Sequence, residues 1–87
     1  MSEQRTTNIA DVVTQYMTFR QIPTNTKTEY WEILNRTSGG LLGTIHWYGP
    51  WRQYCFFPAP DCVFNAGCLT TILGFVARLM RPRKGKL

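Results

Sequence analysis

An α+β fold is what this sequence predicts: a three-stranded antiparallel meander with one helix before it and one after it, in the order αβββα. Three observations predict it. An aromatic-rich run surrounds Gly49-Pro50, a polar Gly-Gly turn precedes that run, and an apolar stripe at helical spacing lies between Leu69 and Met80. At 87 residues the chain suits one domain, and a domain of that size buries only about 60% of the surface its unfolded chain exposes. Aromatic residues make up 14% of the chain. They enlarge the small core, because each buried ring removes roughly 150–250 Å² from water.

Residues 1–7 are polar and are expected to be a flexible N-terminus. Asn8 then precedes Ile9, Val12, Val13, Tyr16, Met17 and Arg20, whose apolar members recur as one helix face does. Asn8 suits an N-cap, and Asp11 adds a carboxylate to the first turn. The spacing predicts a helix over about 8–20. The β-branched Val12, Val13, Thr14 and Thr18 oppose it, and 16–22 also alternate as an edge strand would.

After the polar connector Pro23-Thr24-Asn25-Thr26, residues 28–36 carry the aromatic and aliphatic content of a strand. Thr37-Ser38-Gly39-Gly40 is a turn in which glycine tolerates positive φ. Residues 41–48 and 51–57 are the next two strands, joined at Gly49-Pro50 by a two-residue turn of type II′. That turn sets Tyr48 opposite Trp51, Trp47 opposite Arg52 and Ile45 opposite Tyr54. One face then carries Ile45, Trp47, Arg52, Tyr54 and Phe56. The other carries Leu42, Thr44, His46, Tyr48, Trp51, Gln53, Cys55 and Phe57.

Pro58 and Pro60 interrupt the ladder. Asn65 caps a final helix over 66–80, with Leu69, Ile72, Leu73, Val76, Leu79 and Met80 as its stripe and Pro82 as its stop. The expected core is Ile33, Ile45, Tyr54, Phe56, Leu69, Ile72, Leu73 and Val76. Phe75 lies off the stripe. With Leu41, Leu42, Trp51 and Phe57 it exceeds what one small core covers. That excess, beside an open sheet edge, predicts a homodimer.

The net charge of +5 has a definite location. Acidic and basic residues cancel through residue 76, and the excess lies in Arg78, Arg81, Arg83, Lys84 and Lys86. The body of the domain, 8–81, is close to neutral, and 82–87 is a basic flexible tail. The cysteines number three, an odd count. With no signal-peptide pattern ahead of them, they predict reduced thiols and a cytoplasmic location. No apolar run reaches the roughly 18 residues of a membrane span.

No catalytic motif appears. Glu29 and Glu32 fall on opposite faces of their strand, so they form no carboxylate pair. Gly39-Gly40 lacks the lysine of a phosphate loop. Cys55, Cys62, Cys68 and His46 lack the C-x₂-C spacing of a zinc site. The expectation is a protein that is not an enzyme, with no metal and no cofactor. The αβββα order matches that of double-stranded-RNA-binding domains. The Gly-Pro-x-His loop and the Lys-rich last helix of that family are absent from this chain, so duplex binding in that mode is not expected.

The span Leu42-Gly43-Thr44-Ile45-His46-Trp47-Tyr48, with Trp51-Arg52-Gln53-Tyr54-Cys55-Phe56-Phe57-Pro58, Val63-Phe64-Asn65 and Cys68-Leu69, resembles a family of short proteins of bacteriophages and prophages. Its core reads G-x-I-x-W-Y … W-R-x-Y-x-F-x-P … F, and the resemblance covers about residues 28–80. It implies a small phage accessory protein acting in the host cytoplasm. The resemblance implies that it is expected to bind and inhibit a host protein or nucleoprotein, for instance a defence system such as CRISPR. Tyr48, Trp51, Arg52 and Phe57 are the candidate partner-binding residues. Two alternatives stand beside this. One is a nucleic-acid-binding module using Arg78, Arg81, Arg83, Lys84 and Lys86 with the hairpin aromatics. The other is a structural virion component.

Overall fold

A computed structural model describes residues 11–81. It holds a five-stranded antiparallel sheet in simple sequence order and one helix, which overturns the three-stranded sheet flanked by two helices. The strands are β1 (Val12–Val13), β2 (Met17–Ile22), β3 (Tyr30–Asn35), β4 (Leu41–Tyr48) and β5 (Gln53–Pro58), and the helix is α1 (Ala66–Met80). The expected flexible N-terminus, the Asn8 cap and the basic tail lie outside the described residues.

The expected N-terminal helix is replaced by β1 and β2. Of the β-branched residues that oppose a helix, Val12, Val13 and Thr18 lie in strands, and Thr14 lies in the turn between them. Met17 and Phe19 are fully buried, while Arg20 is exposed, which is the alternation of a half-buried strand. Phe19 pairs with Ile33, so β2 is an inner strand between β1 and β3, not an edge. Between β1 and β2, the Thr14 hydroxyl donates to Met17 O at 3.0 Å and accepts from Met17 N–H at 3.1 Å, which pins the turn.

The remaining elements fall close to their expected places. Asn35 Oδ1 accepts from the backbone N–H of Thr37 and of Ser38, and Gly39 takes φ 79° to close the β3–β4 turn. Asn65 Oδ1 accepts from Cys68 N–H at 2.8 Å and caps α1.

The hairpin differs from the two-residue turn. Gly49–Trp51 form a 3₁₀ turn with Pro50 in its first residues, and Arg52 closes it in the left-handed region at φ 55°. Tyr48 therefore pairs with Gln53 and Ile45 with Phe56. The slip is an even number of residues, so the division of β4 and β5 into two faces survives. Arg52 leaves the sheet for the loop. A register shift between Ile33 and Leu34 sets Leu34 against Leu41, and Leu42 packs on the core.

The core joins Met17, Phe19, Trp31, Ile33 and Ile45 of the sheet to Ile72 and Phe75 of α1. Phe75 stacks on Phe19 at 4.4 Å between centroids and meets Trp31 edge-on at 4.8 Å. Polar ends in this layer are satisfied: Trp31 Nε1–H donates to Glu29 Oε1, and the Tyr54 hydroxyl accepts from Glu29 N–H. Two expected core residues are in fact exposed, Leu69 at 47% and Leu73 at 67%. The helix is turned about its axis from the predicted phase, because Phe75 finds a ring partner on β2. Leu73→Ala is accordingly expected to change stability by no more than about 0.5 kcal/mol in urea unfolding of dilute protein.

Candidate functional site

One face of the sheet is covered by α1. Among the described residues no element covers the other. Period-two alternation places Arg20, Tyr30, Glu32, Thr44, His46, Tyr48, Cys55 and Phe57 on this open face.

Its centre is a row of rings. The His46 imidazole lies between Tyr30, at 4.8 Å and 6° from parallel, and Phe57, at 4.0 Å and 4°. These spacings match the roughly 4.8 Å between neighbouring strands. The rings therefore stand up from the sheet, each face against the next ring, with their edges toward solvent. Tyr48 meets Phe57 edge-on at 5.9 Å and Trp51 edge-on at 5.2 Å, which extends the row to the hairpin tip. Trp51 is 65% exposed there, beside the exposed Arg52.

The structure thus brings Tyr48, Trp51 and Phe57 into one surface, with Arg52 at its end. Sequence reasoning does not single out Tyr30, and it sets His46 on the second hairpin face without naming it a binding residue. Both belong to the row. The alternation of β3 contains the signal for Tyr30. Its partner, however, depends on the turn at 37–40 and the shift after Ile33, which no local pattern specifies.

Arg78 lies elsewhere. It sits on the covered side with its guanidinium 5.6 Å from the Phe75 ring centroid, in a groove with Val12 and Thr14. Arg81 follows α1 and donates its N–H to Arg78 O. Arg83, Lys84 and Lys86 lie outside the described residues.

The cysteines and His46 do not converge. Cys55 is opposite His46 on the open face, Cys68 packs on the core from the first turn of α1, and the Cys62 thiol donates to Leu41 O at 3.6 Å. The Cys55 thiol points to Gln53 O at 3.9 Å, and no hydrogen bond joins it to His46. Among the described residues no group of three His, Cys, Asp or Glu side chains is placed to hold a metal. No described helix is long and apolar enough to cross a membrane.

No protein-family profile matches the chain, and no solved structure matches it. Over 72 residues it is 36% identical to an uncharacterized 9.3 kDa protein of Acholeplasma phage L2, an alignment that spans 82% of this chain and 92% of that protein. With so much of both chains aligned at that identity, this protein belongs to a family of small phage proteins that includes the 9.3 kDa protein of Acholeplasma phage L2.

Proposed function

We propose that this protein is a non-catalytic phage accessory protein that binds and inhibits a host protein or nucleoprotein through the open face of its sheet. The row of rings from Tyr30 to Trp51 is the observation that carries the reading. A surface that stacks bases needs free ring faces. Here the faces of His46 and one face each of Tyr30 and Phe57 are occupied by one another, and the edges of these three rings point outward. Edges with a protruding tryptophan suit the apolar and backbone groups of a protein partner, where tryptophan and tyrosine are the usual anchors. Arg78, the one residue of the basic candidate set placed on α1, also lies across the sheet from the aromatic row.

Affinity capture from host-cell lysate tests this. A specific partner is expected to bind the full chain and a form lacking residues 82–87 alike. Tyr48→Ala and Trp51→Ala are each expected to weaken that capture about tenfold or more. Capture that survives both substitutions sinks the reading. The nucleic-acid alternative makes the opposite forecast: mobility shift of generic DNA or RNA that falls steeply with salt and is lost with the tail.

A further inference from the structure

The two edges of the sheet are unlike. β1 has two residues and is flanked by the Asp11–Arg20 ion pair at 3.8 Å. β5 has six residues, Gln53-Tyr54-Cys55-Phe56-Phe57-Pro58, with no charge and no bulge. A long uncharged edge lacks the features that ordinarily block strand addition, apart from its terminal proline.

Two hydrogen bonds fix which backbone groups of β5 point outward. Ala59 N–H donates inward to Leu42 O at 2.9 Å. Tyr54 N–H points outward and meets only the Met80 sulfur, at 3.2 Å. By the alternation of an antiparallel ladder, Tyr54 and Phe56 present their N–H and C=O groups to the free edge. A thioether is a weak acceptor on a flexible side chain, so a carbonyl arriving at this edge displaces it readily.

Beside that edge runs a groove of about 360 Å³ between β5 and α1, lined by Trp51, Leu69, Leu73 and Val76 among others. Leu69, Leu73, Val76 and Met80 are spaced four, three and four residues apart, which is the seam of a helix that packs against another helix. α1 contains no acidic residue, and its basic Arg78 is in the last turn. Antiparallel packing of two such helices sets their basic ends far apart.

We propose that a second copy of this chain occupies this edge, antiparallel about a two-fold axis at Cys55. Tyr54 of each copy then pairs with Phe56 of the other, which uses the N–H and C=O groups of both residues and leaves Pro58 outside the ladder. The two α1 helices meet through the Leu69–Met80 seam, and the two open faces become one continuous surface. The contact is isologous and closed. It stands independently of the partner reading, since Leu73 lies away from the open face.

In this register Cys55 faces its own copy as a non-hydrogen-bonded pair, with Cα atoms about 4.5 Å apart, within the range a disulfide spans. The test uses the unmodified chain. Light scattering at ~100 µM is expected to give twice the chain mass. Mild oxidation with diamide is expected to give a covalent dimer whose cross-link maps to Cys55–Cys55. Leu73→Glu, checked for native circular dichroism, is expected to weaken association about tenfold or more by placing a charge in the seam. A monomer mass, an assembly larger than a dimer, a dimer whose cross-link avoids Cys55, or a Leu73→Glu variant that still dimerises overturns the proposal.

Discussion

Replacing Phe75 with alanine is expected to lower the free energy of unfolding by about 3–5 kcal/mol, the range for removing a buried phenylalanine from a core. That would be a large part of the stability of a small domain. Phe75 is 6% exposed and makes two ring contacts, stacking on Phe19 and meeting Trp31 edge-on. Its removal would leave a cavity that rigid strands on one side cannot close. Arg78, whose guanidinium lies 5.6 Å from the same ring, would lose its packing as well. Urea unfolding of dilute protein, below the range where copies associate, measures the loss, and Leu73→Ala two positions earlier serves there as the near-neutral control. A loss below about 1 kcal/mol for Phe75→Ala would mean that α1 does not dock on the sheet in this phase.

The same two residues show where the sequence speaks and where it does not. Cys68, Leu69, Ile72, Leu73, Phe75, Val76, Leu79 and Met80 spread apolar side chains around much of α1. The helix and its Asn65 cap are therefore legible, but its rotation is not. Rotation is chosen by what lies opposite, and the ring opposite Phe75 belongs to β2. β2 is the element that local pattern misassigns. Ile9, Val12, Val13, Tyr16 and Met17 satisfy helical spacing, while Met17 and Phe19 also satisfy a two-residue alternation. Pairing of Phe19 with Ile33 decides between them, and that pairing is tertiary. The unrecognised strand thus removes the partner that fixes the helix, and the two errors have one cause.

The candidate site divides in the same way. Tyr48 and Phe57 share a face under any even shift of the hairpin, so their side was readable although the turn was not. Trp51 sits outside the ladder in the 3₁₀ turn, where it borders both the aromatic row and the groove beside α1. Tyr30 and His46 join the row only through the β3–β4 register, which the shift after Ile33 alters.

Gly43→Val is expected to cost about 3 kcal/mol, at the upper end of what overpacking usually costs. A Cβ added at Gly43 would lie 2.6 Å from Phe56 Cε1, 2.6 Å from Phe57 O and 3.1 Å from Pro58 Cα. Two of those three neighbours are backbone atoms of β5, so rotating a side chain does not relieve the clash. The glycine permits a close approach of two strands beside the register shift, a reason unrelated to positive φ. Relief requires β5 to move away from β4, and Phe57 on β5 is the ring stacked on His46 at 4.0 Å. The substitution is therefore expected to disturb the open face as well as the core. Gly49→Ala is the matched control, with nothing within 4 Å of the added Cβ and an expected change within about 0.5 kcal/mol. Urea unfolding of the pair measures the difference. Equal stability of the two variants would show that β4 and β5 are not held as closely at Gly43 as their register implies.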